Sequence, residues 1–176
     1  MNLLMSFNFE FRSIGDNKDL SKLINFLSKQ DLGYPNYQDW VMRAESELNM
    51  GYKKGTVAYS SGKVVGNLIY QKDKELGRIR EIKNLRIHPE VRERYFASFL
   101  MRQAEFENKE EFDAIIIDCR KNHNILNFLL RIGYVPIGNK YLYDNHSEDT
   151  IMIKTFDKKM ESGIFYKTKE LILGKK

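Results

Sequence analysis

Apolar and polar residues alternate near the start of the chain. Ser6–Ile14 sets Phe7, Phe9 and Phe11 against polar neighbours, the period of a half-buried strand. Asp16 or Asn17 then caps a predicted helix through Gln30, with Leu20, Leu23, Ile24 and Leu27 at helical spacing. Asp31–Pro35 reads as a turn, and a second helix spans about Tyr37–Met50, with Trp40, Val41, Ala44 and Leu48 on one face and Gly51 as its stop. Thr56–Ser60 and Lys63–Gln71 flank Ser61-Gly62, a two-residue hairpin signal. A charged loop, Lys72–Gly77, leads to a third strand over Arg78–Ile87. Up to this point the pattern predicts an antiparallel meander.

The period then changes. A helix is predicted from about Val91 to Glu107, followed by Ala114–Asp118 (AIIID), a continuous apolar run suited to a buried strand. Asn122 or Asn124 opens a helix that ends near Ile132, with Gly133 at its stop. Tyr134–Tyr143 and Thr150–Phe156 form a last strand pair around the polar loop Asp144–Asp149. Strand, helix, strand, helix, strand implies parallel pairing at the centre of the sheet. The result is an α/β chain with a mixed central sheet, order β-α-α-β-β-β-α-β-α-β-β, and helices on both faces. Residues 1–156 are expected to form a single domain. Residues 157–176 are expected to be a basic extension packing on it or trailing from it, with a short helix or strand around Ile164–Leu173.

Composition narrows the classes. The chain has 176 residues, 42% hydrophobic and 30% charged, enough for a substantial core. Its net charge of +5 rests partly on late lysines such as Lys158, Lys159, Lys167, Lys169, Lys175 and Lys176. A solvated lysine-rich surface accounts for that better than nucleic-acid binding does. The single cysteine, Cys119, excludes an internal disulfide framework and suits a reducing compartment. No apolar run reaches membrane-span length, and Met1–Phe7 lacks the features of a signal peptide. The expectation is a cytoplasmic protein. Three histidines and one cysteine have no metal-ligand spacing, so no metal is expected.

Candidate chemistry concentrates in Ile82–Leu100 (IKNLRIHPEVRERYFASFL), a strand that turns through His-Pro into a basic helix. The first turn of a helix leaves N–H groups unpaired and favours negative charge, and Arg92 and Arg94 sit at this one. Where a phosphate loop wants glycine, the chain has Tyr95. Asp118, Cys119 and Arg120 end the central strand, where α/β sheets commonly carry function. A buried structural thiol is the favoured reading of Cys119. His88 reads as a turn residue before Pro89. Core packing and the apolar face of the second helix account for Trp40.

Three segments, in this order, resemble the GNAT superfamily of acyl-CoA-dependent N-acetyltransferases over roughly Phe9–Phe156. Val57–Tyr70 (VAYSSGKVVGNLIY) is similar to the family's hairpin A-x-x-x-G-x-x-V-G. Glu81–Leu100 (EIKNLRIHPEVRERYFASFL) is similar to EI-x-x-L-x-V-x-P-x-x-R-G-x-G-x-G-x-x-L. Asn122–Tyr134 (NHNILNFLLRIGY) is similar to N-x-x-A-x-x-F-Y-x-x-x-G-F. The resemblance implies a GNAT-like sheet and acetyl-CoA as co-substrate. It implies pantetheine contacts to the backbone of Leu85 and Ile87, and a pyrophosphate on the loop of Arg92, Glu93, Arg94, Tyr95, Phe96 and Ala97. It also places Asn122 near the cofactor.

Two departures stand out. Tyr95 replaces the first glycine of the phosphate loop, with Ala97 an accepted substitute at the second, and Glu93 sits where a small residue is usual. The family's tyrosine acid, seven residues after the asparagine, is here Leu129. Tyr134 is the replacement candidate, with Tyr141 and Tyr143 as alternatives. Glu81, six residues before Ile87, has the spacing of the general base in some histone-type members; an ion pair with Arg78, Arg80 or Lys83 is the competing reading.

These features imply acetyl transfer from acetyl-CoA to a primary amine by direct attack, with a small-molecule or peptide acceptor. The alternative is a catalytically degenerate GNAT-fold module with weak or no CoA binding. An exposed last strand and tail could pair across a homodimer.

Overall fold

The computed structural model describes residues 8–30, 33–92, 95–120, 124–156 and 161–174. Strand β1 (Phe9–Ser13) precedes helices α1 (Asn17–Ser28) and α2 (Tyr37–Asn49). Three strands follow: β2 (Lys54–Ser60), β3 (Lys63–Lys72) and β4 (Ile79–Ile87). Helix α3 (Phe96–Phe106), β5 (Ala114–Arg120), α4 (Ile125–Arg131), β6 (Val135–Lys140), β7 (Asp149–Thr155) and α5 (Glu161–Leu173) complete the order. The strands hydrogen-bond in the sequence β1-β2-β3-β4-β5-β7-β6. Two compact units make up the chain, Met1–Ile69 with Asn84–Ala104, and Tyr70–Lys83 with Glu105–Lys176.

In the first unit, alternation along β2 sends neighbouring residues to opposite faces. Val57 and Tyr59 pack with Leu20, Leu23, Phe26 and Leu27 of α1 and with Tyr37, Val41 and Leu48 of α2. Ala58 packs on the other side with Val65, Val91 and the α3 residue Phe96. Helices therefore cover both faces, as the sequence pattern implies. Asp16 caps α1 by accepting the Asp19 N–H at 2.7 Å. The buried Tyr37 hydroxyl donates to the Leu27 carbonyl at 2.9 Å and so ties α1 to α2. That makes Tyr37 a core residue; Trp40 stacks on it at 5.8 Å and packs partly buried against the same cluster. The β2–β3 hairpin turns at Ser61 and Gly62, with φ of 49° and 78°, the two left-handed residues of a type I′ turn.

In the second unit, β5 pairs parallel with β4 from Ile79–Ala114 to Ile82–Ile117, and antiparallel with β7 from Ala114–Thr155 to Arg120–Asp149. Ile79, Ala114, Ile116, Ile151 and Ile153 form an apolar face, and α5 covers it with Ile164, Phe165, Leu171, Ile172 and Leu173. The stretch around Ile164–Leu173, left open between helix and strand by its sequence, thus lies in a helix. Arg80 is buried between the rings of Tyr70 (4.8 Å) and Phe112 (4.2 Å). No helix among the described residues is long and apolar enough to cross a membrane.

One element starts later than its periodicity suggests. Helix α3 begins at Phe96 rather than Val91, because Pro89–Val91 closes a separate 3₁₀ turn and Tyr95 is left-handed. A left-handed residue cannot continue an α-helix.

Candidate active site

The first unit carries the phosphate-loop candidates. At the end of β4 the His88 N–H donates to the Val65 carbonyl at 2.7 Å, and His88 Nδ1 accepts the Glu90 N–H at 3.4 Å, so His88 is a turn-capping residue. Arg92 is exposed and extended after the 3₁₀ turn. Tyr95 has φ of 63° and is 78% exposed. A tyrosine therefore holds the backbone conformation that glycine adopts freely, with its ring turned to solvent. Its carbonyl accepts the Phe99 N–H at 3.0 Å, so the loop leads directly into the first turn of α3.

Phe96 anchors that turn. It is buried, edge-on to Phe9 at 4.8 Å and tilted against Phe11 at 5.6 Å. Ala97 follows, half-buried. Leu85 is buried, and Ile87 packs against Ala58, Val65, Val91 and Phe96. Gly66, beside β4, has no room for a side chain. A Cβ there would lie 2.8 Å from Ile87 Cδ1 and 3.0 Å from the Arg86 carbonyl oxygen. The glycine of the hairpin motif thus fixes the close approach of β3 to β4. Glu93, Arg94 and Asn122 lie outside the described residues.

The second unit carries the proton-transfer candidates. Glu81 is half-buried on β4; its Oε1 accepts from Lys83 at 2.6 Å and its Oε2 from Gln71 at 3.0 Å. Of the three cations nominated as its partners, Lys83 is the one that pairs. Arg78 forms a fork with Asp113, and Arg80 is held in its aromatic sandwich. Tyr134 is almost completely buried, and its hydroxyl donates to Glu105 Oε1 at 3.3 Å. Burial, and then Glu105, push its pKa well above the ordinary value. Leu129, at the position of the family's tyrosine acid, is fully buried.

Around Asp118, Cys119 and Arg120, singled out by their place on the central strand, the structure gathers Tyr143, Asp144 and Asp149, and the sequence did not indicate this grouping. Half-buried Asp118 lies two residues before the end of β5, and the Tyr143 hydroxyl donates to its Oδ2 at 2.7 Å. Burial raises the Asp118 pKa, against the lowering effects of Tyr143 and Lys83. Asp149 is fully buried, and burial raises its pKa too. Arg120 pairs with Asp144 at 2.8 Å, and Asp144 also accepts the His146 and Ser147 N–H groups. Cys119, on the opposite side of β5, is buried, with its thiol pKa pushed up to about 12 by burial and by Asp118 and Asp149. It is protonated and unreactive at neutral pH.

No family model matches the sequence, and no curated protein matches it. Solved structures do match. A GNAT-family protein of Desulfovibrio desulfuricans superposes with a TM-score of 0.73 at 11% identity, covering 84% of this chain and 99% of its own. A GNAT-family acetyltransferase of Streptococcus pneumoniae gives 0.70 at 16% identity, with 85% and 100% covered. The PaiA N-acetyltransferase of Thermoplasma acidophilum, solved in complex with coenzyme A, gives 0.62 at 14% identity, with 85% and 99% covered. The chain has the GNAT acetyltransferase fold.

Proposed function

We propose that the protein is an N-acetyltransferase that moves an acetyl group from acetyl-CoA to a primary amine by direct attack, in the cytoplasm. The observation that carries this reading is the loop ahead of α3. Tyr95 takes the left-handed φ that glycine adopts freely and turns its side chain to solvent, which supports a phosphate approaching the start of α3. Arg92, Tyr95, Phe96 and Ala97 would hold the pyrophosphate there, with Glu93 and Arg94 in the same loop and Asn122 at the start of the segment leading to α4. The backbones of Leu85 and Ile87 would align the pantetheine arm, and an N–H near Ile87 would face the thioester carbonyl.

Acetyl-CoA supplies a thioester whose carbonyl carbon bonds to the amine nitrogen while the C–S bond breaks with its electron pair on sulfur. Glu81 accepts the proton that the acceptor's ammonium must lose before its nitrogen lone pair is free. Lys83 and Gln71 both donate to the carboxylate and fix its orientation, although the Lys83 pair is equally what the competing, structural reading of Glu81 expects. The departing thiolate takes a proton from water, or from Tyr143 once its hydroxyl leaves Asp118 Oδ2. Tyr134 is assigned a packing part, since its hydroxyl is enclosed with Glu105.

Calorimetric titration with acetyl-CoA tests the reading. Saturable binding that weakens in Arg92→Ala is expected; no heat at millimolar ligand would sink it. Binding seen only in Tyr95→Gly would favour a degenerate binding module.

A further inference from the structure

Strand register puts a row of carboxylates on one face of the second unit. Glu81 is level with Ile116, and Arg120 with Asp149, so alternation brings Glu81, Asp118 and Asp149 to the face that carries Ile116 and Ile151. Diagonal neighbours on such a face lie about 7 Å apart. The row runs from β4 across β5 to β7.

Among the described residues, Lys83 is engaged by Glu81 and Arg120 by Asp144, which sets four carboxylates, Glu81, Asp118, Asp144 and Asp149, against two cations. Asp118 receives one hydrogen bond, from Tyr143 to Oδ2. Asp149 is 0% exposed, and neither of its oxygens has a hydrogen bond of good geometry. The Leu142 N–H and the Arg120 charge only partly offset its burial. A buried carboxylate left in this state is costly unless a positive group completes it. Among the described residues no group of carboxylates converges as a metal ion requires, so a single small ion does not fit the row. A cation with two separated charges does.

We propose that Glu81, Asp118 and Asp149 form an acceptor subsite for a diamine or polyamine, with one ammonium brought to Glu81 and a second held by Asp118 over the buried charge of Asp149. This rests on the acetyltransferase reading of Glu81. The Tyr143 hydroxyl already occupies Asp118 Oδ2, so the second ammonium bonds to Oδ1. The spacing from Glu81 to Asp118 matches an acceptor whose two nitrogens are separated by three or four methylene groups.

The full-length protein is titrated with spermidine and with butylamine, and acetyl transfer is followed with propane-1,3-diamine and with propylamine. Spermidine is expected to bind at least tenfold tighter than butylamine, and the diamine to exceed the monoamine by a similar factor in kcat/KM, mostly through KM. Asp118→Asn is expected to bring both ratios close to one and Asp118→Glu to restore part of the preference, with thermal melts checking that each variant folds. Equal affinities of the native protein for spermidine and butylamine would overturn the proposal without recourse to any variant. Displacement of spermidine by an equal concentration of calcium chloride would overturn it as well. If acetyl-CoA binds and is consumed with no diamine preference, the subsite fails while the transferase reading stands. If acetyl-CoA does not bind but spermidine does, and Asp118→Asn abolishes that, the transferase reading fails and the acidic site stands.

Discussion

Tyr95 departs from an easy backbone, and the consequence can be measured. Holding a bulky L-residue left-handed costs roughly 1–2 kcal/mol, while a glycine gives back about 0.4–1 kcal/mol through the freer unfolded chain. Tyr95→Gly is therefore expected to raise the unfolding free energy by roughly 0–1.6 kcal/mol in urea titrations. Tyr95→Val should lower it by about 1 kcal/mol, because β-branching aggravates the strain. Asp118 makes a different prediction. Burial holds its carboxyl pKa above the ordinary value, so the native state keeps a proton that the unfolded chain has already released. Stability tied to this group is complete at acid pH and falls as pH rises above about 4, the ordinary carboxyl value. Asp118→Asn removes that slope, so its Tm should exceed the native one at pH 7 and converge with it near pH 3.5. Buried Cys119 should ignore Ellman's reagent at pH 8 until urea unfolds the chain. Local sequence identified Tyr95 as the unusual residue, but its φ was not legible, since left-handed geometry has no signature when the residue is not glycine. The Asp118–Tyr143 bond was hidden for another reason: it joins residues far apart in sequence, through the pairing of β5 with β7.

At the scale of elements, spacing located α1 and α2 because each has a single apolar face with a clear period, while β2 and β3, buried on both faces, were located by the turn signal between them. The Ser61-Gly62 turn was legible because it uses residues that tolerate positive φ. The start of α3 was not, since apolar residues run at helical spacing straight through the 3₁₀ turn. Gly66 illustrates how one strand sets the position of the next. Gly66→Ala is expected to cost about 1–3 kcal/mol, because Arg86 presents backbone, which cannot step aside as a side chain tip can. It should also weaken acetyl-CoA binding through a displaced Ile87 if the proposed function holds. Arg80 ties β4 to its neighbours through Tyr70 and Phe112, with Glu107 accepting from the Tyr70 hydroxyl. Arg80→Ala should lower stability by about 3 kcal/mol, by opening space between the rings and leaving Glu107 without its nearby positive charge.

For the molecule as a whole, the element order implied a mixed sheet with parallel pairing at its centre, because the change from meander to alternating strand and helix admits few topologies, and the resemblance of three segments supplied the fold itself. The role of the last segment was not legible. Its apolar residues occur at no strong period, and what makes it a helix with a buried side is the Ile116–Ile151–Ile153 face it covers. A chain ending before α5 should bind a hydrophobic dye and melt at a lower temperature than the full one. The strand order of the second unit also has a consequence during synthesis. Strand β6 leaves the ribosome before β7, yet β7 lies between it and β5, so β6 must wait for a partner not yet made. A waiting strand can capture a neighbouring nascent chain. Pro136, which has no N–H to donate, and the register shift between Pro136 and Gly138 make this one a poor template for such capture. They let β6 stand idle safely until its own β7 arrives.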